Sequence, residues 1–271
     1  MAPFPLGSRA RLGIGGGPRH SARRPGPLAG PVYNTGMHSG TRIGIIGDFS
    51  ERQKAHQAIP QVLAAASEGI AEAVWVATDA VGTGESLAEF DGLWCAPGMP
   101  YRSGDGVLEA IRRARVSGTP LLATSAGFQY ALIEFARHVL GLSAADHQKT
   151  NPQSSLPLVA PLGCALAGVK ARVRFTGGST LRNAYGAPES VEEYHCSFGL
   201  NPRYRRLIEG AGSLSVAAVD DQDEVRAVEL DAHPFYVATL FQPELRSPSP
   251  LVNAFLAVCA RRRREAKLAA G

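Results

Sequence analysis

Apolar and polar positions along the chain fall into two regimes that meet near residue 40. Residues 1–40 carry Gly, Pro, Ser and Arg with no apolar periodicity. Such a stretch buries too little surface to offset its ordering entropy and is expected to be disordered. From Arg42 the pattern sharpens. Arg42-Ile43-Gly44-Ile45-Ile46-Gly47-Asp48 is a short apolar run ending in Gly-Asp, the pattern of a buried parallel strand entering a loop. A helix follows from about Lys54 to Ser67, then a strand over Ala73–Thr78. A third strand spans Asp91–Ala96 and closes in Pro97-Gly98. The spacing predicts a helix over 105–117, a strand over Pro120–Thr124 and a helix from about Gly127 to Leu140. This rhythm predicts an α/β fold with a doubly wound, mostly parallel sheet flanked by helices.

The second half reads differently. Residues 141–170 are Pro-rich and look irregular. Strand-like runs then crowd together at Ala171–Phe175, Glu192–Phe198, Leu214–Val219, Val225–Leu230 and Tyr236–Phe241, before a last helix over about Leu251–Arg263. Extra antiparallel strands are expected there. The organisation that follows is a head (1–40), one α/β domain (41–260) and a basic tail (261–271). The Arg-rich, acid-poor head resembles a transit peptide. It reads equally well as translation from a misassigned start, with Met37 a few residues before the first strand.

Composition narrows the picture only slightly. The 271 residues carry a formal charge of +4, but Arg9, Arg11, Arg19, Arg23 and Arg24 lie in the head and Arg261–Arg264 in the tail. The domain between them has no basic stripe, which argues against nucleic-acid binding. No run approaches the roughly 20 apolar residues of a membrane span. Cys95, Cys164, Cys196 and Cys259 are widely separated, with no metal-ligand spacing, so reduced thiols in a cytoplasmic protein are expected, with no metal and no cofactor. Gly13–Gly17 precedes no strand–helix unit and is discounted as a phosphate loop.

The candidate chemistry centres on Leu121-Leu122-Ala123-Thr124-Ser125-Ala126-Gly127-Phe128-Gln129. A serine at a tight strand-to-helix turn, followed by small residues, is the setting of a nucleophile elbow, with a helix N-terminus behind it that favours developing negative charge. The plainer reading is a helix N-cap.

Several separated motifs add to this. Pro97-Gly98-Met99-Pro100-Tyr101-Arg102 precedes a helix ending Ala110–Arg115. Ala131–Val139 follows the elbow. Asn201-Pro202-Arg203-Tyr204, Val228-Glu229-Leu230, His233–Ala238 and Phe241-Gln242-Pro243-Glu244 come later. In order and spacing, from about Arg42 to Val258, they resemble class I glutamine amidotransferases, specifically the glutaminase domain of CTP synthases. The resemblance implies a flavodoxin-like fold and a site at the C-terminal ends of the sheet strands. It also implies an oxyanion pocket around Gly98, Met99 and Ala126, with Gln129 beside it.

In that family the elbow carries a nucleophilic Cys and the later motif a His before Pro-Glu. Here these positions are Ser125 and Gln242, with Glu244 retained. A serine hydroxyl needs a positioned base, and an amide cannot accept the proton. The resemblance also places an arginine-bearing run and an acidic α-ammonium contact where this chain has Glu193–Phe198 and Gln148 or Lys149. Glutamine is thus a doubtful ligand. His195 and Cys196 become the alternatives, His195 as a replacement base and Cys196 as a nucleophile, although neighbours on a strand face opposite ways. His56, His138 and His147 lack partner spacing and read as surface or satisfied histidines.

Three functions stay open. One is a Ser125-based hydrolase or acyl-transfer enzyme acting on a small amide or ester, for which His195 must reach Ser125. Another is an inactive protein that binds a metabolite or partner. The third is a glutamine-hydrolysing subunit in pyrimidine nucleotide synthesis. All three imply a small ligand with a carbonyl group. A synthetase partner or a second copy of the chain would accompany it, and no nucleic acid or membrane is involved.

Overall fold

β1 (Arg42–Ile46) begins the sheet because its apolar run is buried on both faces. The computed structural model describes residues 40–82, 86–210 and 212–270. The expected disordered head and its glycine run lie outside them. β1 pairs in parallel with β2 (Glu72–Val76) on one side and β3 (Gly92–Cys95) on the other. β3 continues to β4 (Leu121–Thr124), and β4 pairs in parallel with a strand from the far end of the chain, Tyr236–Thr239.

Helices α1 (Lys54–Ala66), α2 (Gly104–Ser117) and α3 (Ala126–His138) connect these strands. The Ser103 hydroxyl caps α2 by accepting from the Gly106 N–H, and Gly118 ends it in the left-handed region at φ 68°. α2 and α3 pack together on one face. On the other, α1 packs against a terminal helix, residues 250–270, which meets the Gly92 side of β3 through Phe255 and Cys259. The parallel, doubly wound half is as expected.

The second half departs from the sequence reading. Residues 141–170 are not irregular. β5 (Ala145–His147) and the long β6 (Leu156–Phe175) occupy much of them. β6 pairs antiparallel with β7 (Glu189–Leu200), and its register shifts between Pro161 and Leu166 and again between Ala167 and Val169. Proline and glycine sit at these bulges and break the alternation that would have marked the strand. After the short α4 (Thr180–Tyr185) and α5 (Arg205–Glu209) come β8 (Leu214–Val219), β9 (Val225–Leu230) and β10 (Tyr236–Thr239). The sheet order is β2-β1-β3-β4-β10-β9-β8-β6-β5, with β7 paired to β6. The last helix, α6 (Pro250–Ala270), runs through the basic segment. Arg262 donates to the Phe90 carbonyl and Arg263 pairs with Asp91, so these cations are tied to the domain.

Candidate active site

β4 leads directly into α3, and Ser125 is the joint. Its φ is 56° and ψ −105°, a left-handed conformation that costs a non-glycine residue of order 1–3 kcal/mol. The surroundings hold it there. The Ser125 N–H donates to the Thr239 carbonyl at 2.8 Å, which ties the turn to β10. Gly127 lets α3 approach β3, since a Cβ there would lie 2.4 Å from the Cys95 carbonyl oxygen. The Ser125 hydroxyl caps no helical N–H. The elbow reading therefore describes the local geometry better than the N-cap reading.

The Pro97–Tyr101 loop faces the elbow and is braced from β1. His56 accepts from the Ser50 N–H at Nδ1, so its Nε2 donates to the Pro97 carbonyl at 2.7 Å. Burial lowers the His56 pKa and keeps this neutral form. Asp48 accepts from the Arg102 N–H and from the Thr78 N–H and hydroxyl. Gly98 sits at φ 114°, where a side chain would be strained. The third wall is the segment after β10, where the Gln242 N–H donates to the Glu193 carbonyl of β7 at 2.9 Å.

Between these walls lies a cavity of about 280 Å³ lined by Ser125, Gln242, His195, Cys196, Gly98, Met99, Ala126 and Gln129. Of the residues singled out from the sequence, Glu244 alone is not on its surface. Lys149, His147, Gln53 and Ser197 also line it.

The partner of Ser125 is Cys196, with Oγ and Sγ 2.9 Å apart. The Cys196 thiol reaches on toward the Leu240 carbonyl at 3.5 Å. Burial pushes this thiol up to about 11, so it is protonated at neutral pH. His195 lines the same cavity, but its hydrogen bond runs to Glu193, and among the described residues none joins it to Ser125. Side chains alternate along β7, so Cys196 is buried against Ser125 while His195 is exposed at the cavity's rim. There it is 40% exposed, its Nε2 2.8 Å from Glu193. Glu244 is buried in the turn Pro243–Leu245, and neither carboxylate oxygen has a hydrogen-bond partner in good geometry. Burial raises its pKa to about 8 and keeps the carboxyl neutral.

His147 is a satisfied histidine, as its isolated position suggested, but it borders the cavity. Its Nδ1 accepts from the Lys149 N–H at 3.0 Å, so Nε2 donates to the Gln129 Oε1 at 3.1 Å. Gln129 in turn donates to the Phe198 carbonyl. Burial, and secondarily the Lys149 charge, depress the His147 pKa to about 4. No spacing in the sequence flagged His147, and the resemblance alone pointed to Gln148 or Lys149. Only the short β5 brings this segment over the strand ends.

The Ser125–Cys196 contact makes a direct prediction. Ser125→Cys places two sulfurs where an oxygen and a sulfur now touch, and oxidised glutathione should join them, the two thiols losing two hydrogens as the oxidant is reduced. Intact mass after alkylation should show two fewer free thiols than the unoxidised variant, and the added Cys196→Ser change should abolish the difference. An unchanged thiol count would show that the two side chains do not meet.

No family model matches the chain. Among curated proteins it is 32% identical over 247 residues to CTP synthase of Aeropyrum pernix, covering 82% of this chain and 45% of that protein. It is 30% identical over 243 residues to CTP synthase of Rubrobacter xylanophilus, covering 83% and 44%. The chain thus spans less than half the length of these relatives. The glutaminase domain of Trypanosoma brucei CTPS with bound acivicin superposes with a TM-score of 0.75 at 24% identity, covering 82% of this chain and 94% of that one. A putative GMP synthase subunit from Thermoplasma acidophilum gives 0.58 at 17%, covering 85% and 99%. The fold is therefore that of a class I glutamine amidotransferase domain. Within that class, the chain is a homologue of CTP synthases over their glutaminase part.

Proposed function

We propose that this chain binds a small carbonyl-bearing metabolite at Ser125 and does not hydrolyse glutamine at the rate of a Cys-His-Glu glutaminase. The observation that carries this reading is the environment of the Ser125 hydroxyl. Its neighbour is a protonated thiol. The nearby imidazoles are committed elsewhere, His147 to Lys149 and Gln129 and His195 to Glu193. The amide of Gln242 has no basicity to offer. A serine without a base is a very weak nucleophile, and losing both members of such a pair costs about four to six powers of ten in turnover. Binding survives this loss. Gly98, Met99 and Ala126 line the cavity, and the N–H groups of the first turn of α3 have no intrahelical acceptor, so a carbonyl oxygen can still be held.

The strained φ of Ser125 favours a second reading, an acyl-transfer enzyme on a small amide or ester. The backbone holds an unfavourable conformation that presents the hydroxyl. The proton acceptor would then come from the ligand or from a partner protein. By analogy with the relatives, that partner is a synthetase or a second copy of the chain, and the setting is pyrimidine nucleotide synthesis in the cytoplasm.

Glutamate and ammonia release from glutamine by the full chain, beside Ser125→Ala, tests the first reading. Equal background rates in both proteins are expected. Turnover that disappears in Ser125→Ala would overturn it in favour of a glutaminase. Hydrolysis of a p-nitrophenyl ester that depends on Ser125, without glutamine turnover, would select the acyl-transfer reading.

A further inference from the structure

The cavity surface carries an unbalanced charge. No Asp or Glu lines it, whereas Lys149 does. Among the described residues no carboxylate pairs with Lys149. The nearby Asp146 is taken by Arg137 and Asn151. Glu193, whose backbone holds the Gln242 wall, is engaged by His195 at 2.8 Å, Lys54 at 3.4 Å and Lys170 at 3.9 Å, and Asp48 beside the Gly98 loop is engaged by Thr78 and the Arg102 N–H.

The backbone at Lys149 is also held in place. Its N–H is pinned to the Nδ1 of His147, and that ring is fixed in turn by Gln129 and Phe198. Burial, and secondarily the Lys149 charge, keeps the His147 ring neutral, so it adds no positive charge beside Lys149. A lysine whose backbone is fixed at the rim of a concave pocket without acidic walls attracts anions and repels ammonium groups.

We infer that the pocket takes a small carbonyl compound that carries a carboxylate and lacks an ammonium group, with its carboxylate on Lys149 and its carbonyl at Ser125. This inference rests on the proposal that the cavity at Ser125 is the binding site, and it fixes the chemical class of the ligand. The ligand's charge meets Lys149, while the neutral donors of Gln242 and Ser197 offer hydrogen bonds without charge selection. An α-amino acid would need a carboxylate near its ammonium group, and the lining provides none.

Glutaramate, which is glutamine without its α-amino group, isolates this feature, and butyramide supplies the carbonyl end without charge. Calorimetric titration of the full chain with each probe at low salt should show glutaramate binding about tenfold more tightly than glutamine, with the difference shrinking at high salt. Lys149→Glu should reverse the order of the two. Lys149→Ala should abolish the preference while leaving the melting temperature unchanged, because the side chain is exposed. Equal or tighter binding of glutamine to the unmodified chain, or a preference unmoved by Lys149→Glu, would overturn the charge assignment alone. Failure of all three probes to bind would instead overturn the pocket reading on which it rests.

Discussion

Gly127→Ala should lower the melting temperature by roughly 6–12 °C, the shift that a loss of about 3 kcal/mol produces in a domain of this size. The added Cβ would lie 2.4 Å from the Cys95 carbonyl oxygen and 3.0 Å from the Cys95 Cβ. Neither atom can move aside cheaply. β3 is hydrogen-bonded to β1 on one edge and β4 on the other, and Trp94 beside it is fully buried. The relief has to come from α3, which would retreat from the sheet and carry Ala126 and Ser125 with it. Stability and ligand binding should therefore fall together. Gly163→Ala is the control, because nothing lies within 4 Å of its Cβ and its φ is not positive. Thermal unfolding followed by circular dichroism reads both. A Gly127→Ala protein that melts within about 2 °C of the parent would show that α3 does not need this approach.

The same turn shows what was legible in the sequence and what was not. The parallel half was readable because its strands are buried on both faces and its helices carry one apolar face. Those patterns mark β1, β3, β4, α2 and α3 without any tertiary information. β8 and β9 were found for a related reason, short β-rich runs between turn residues. Only the end of β6, Ala171–Phe175, read as strand; the rest was missed because its middle is exposed and its pairing with β7 is interrupted twice, so Pro157, Pro161, Gly163 and Gly168 read as loop.

At the site, Ser125, Gln242 and the Gly98–Met99 loop could be placed from motif order. Whether His195 or Cys196 faces the serine depends on the register of β7, and a one-residue shift reverses the answer. That register comes from the bulged pairing with β6, which the sequence pattern did not reveal. The resemblance placed Gln148 or Lys149 near the ligand but left open which of the two lines the cavity. Lys149 reaches the cavity only through β5 and the hydrogen bonds of His147, which is a tertiary arrangement rather than a spacing.

Glu244→Gln should change how stability depends on pH. The folded carboxyl has a pKa of about 8 against 4.5 for the unperturbed group, with burial as the main cause. Between those values the unfolded chain releases a proton that the folded chain retains, so raising the pH favours unfolding. The stability tied to this protonated carboxyl is full below about pH 4.5. It is lost progressively up to about pH 8 and constant above that. The slope approaches about 1.4 kcal/mol per pH unit, or roughly 3–4 kcal/mol in total near neutral pH.

His56, His147 and His233 act in the opposite direction. Burial lowers each of them, so their contribution falls away as the pH drops below the ordinary histidine range. The raw profile therefore mixes the two effects, and the difference between parent and Glu244→Gln isolates the carboxyl. Denaturant titrations from pH 5 to 8.5 should give a steadily falling parent curve relative to the variant. Parallel curves would show that Glu244 is ionised or solvated in the folded protein. Gln242→His supplies the complementary test. An imidazole two residues before Glu244 gives the buried carboxylate a cationic partner, which lowers its pKa and should flatten the same slope. If that slope persists in Gln242→His, the two side chains do not meet, and restoring a histidine at 242 would not rebuild a charge pair behind Ser125.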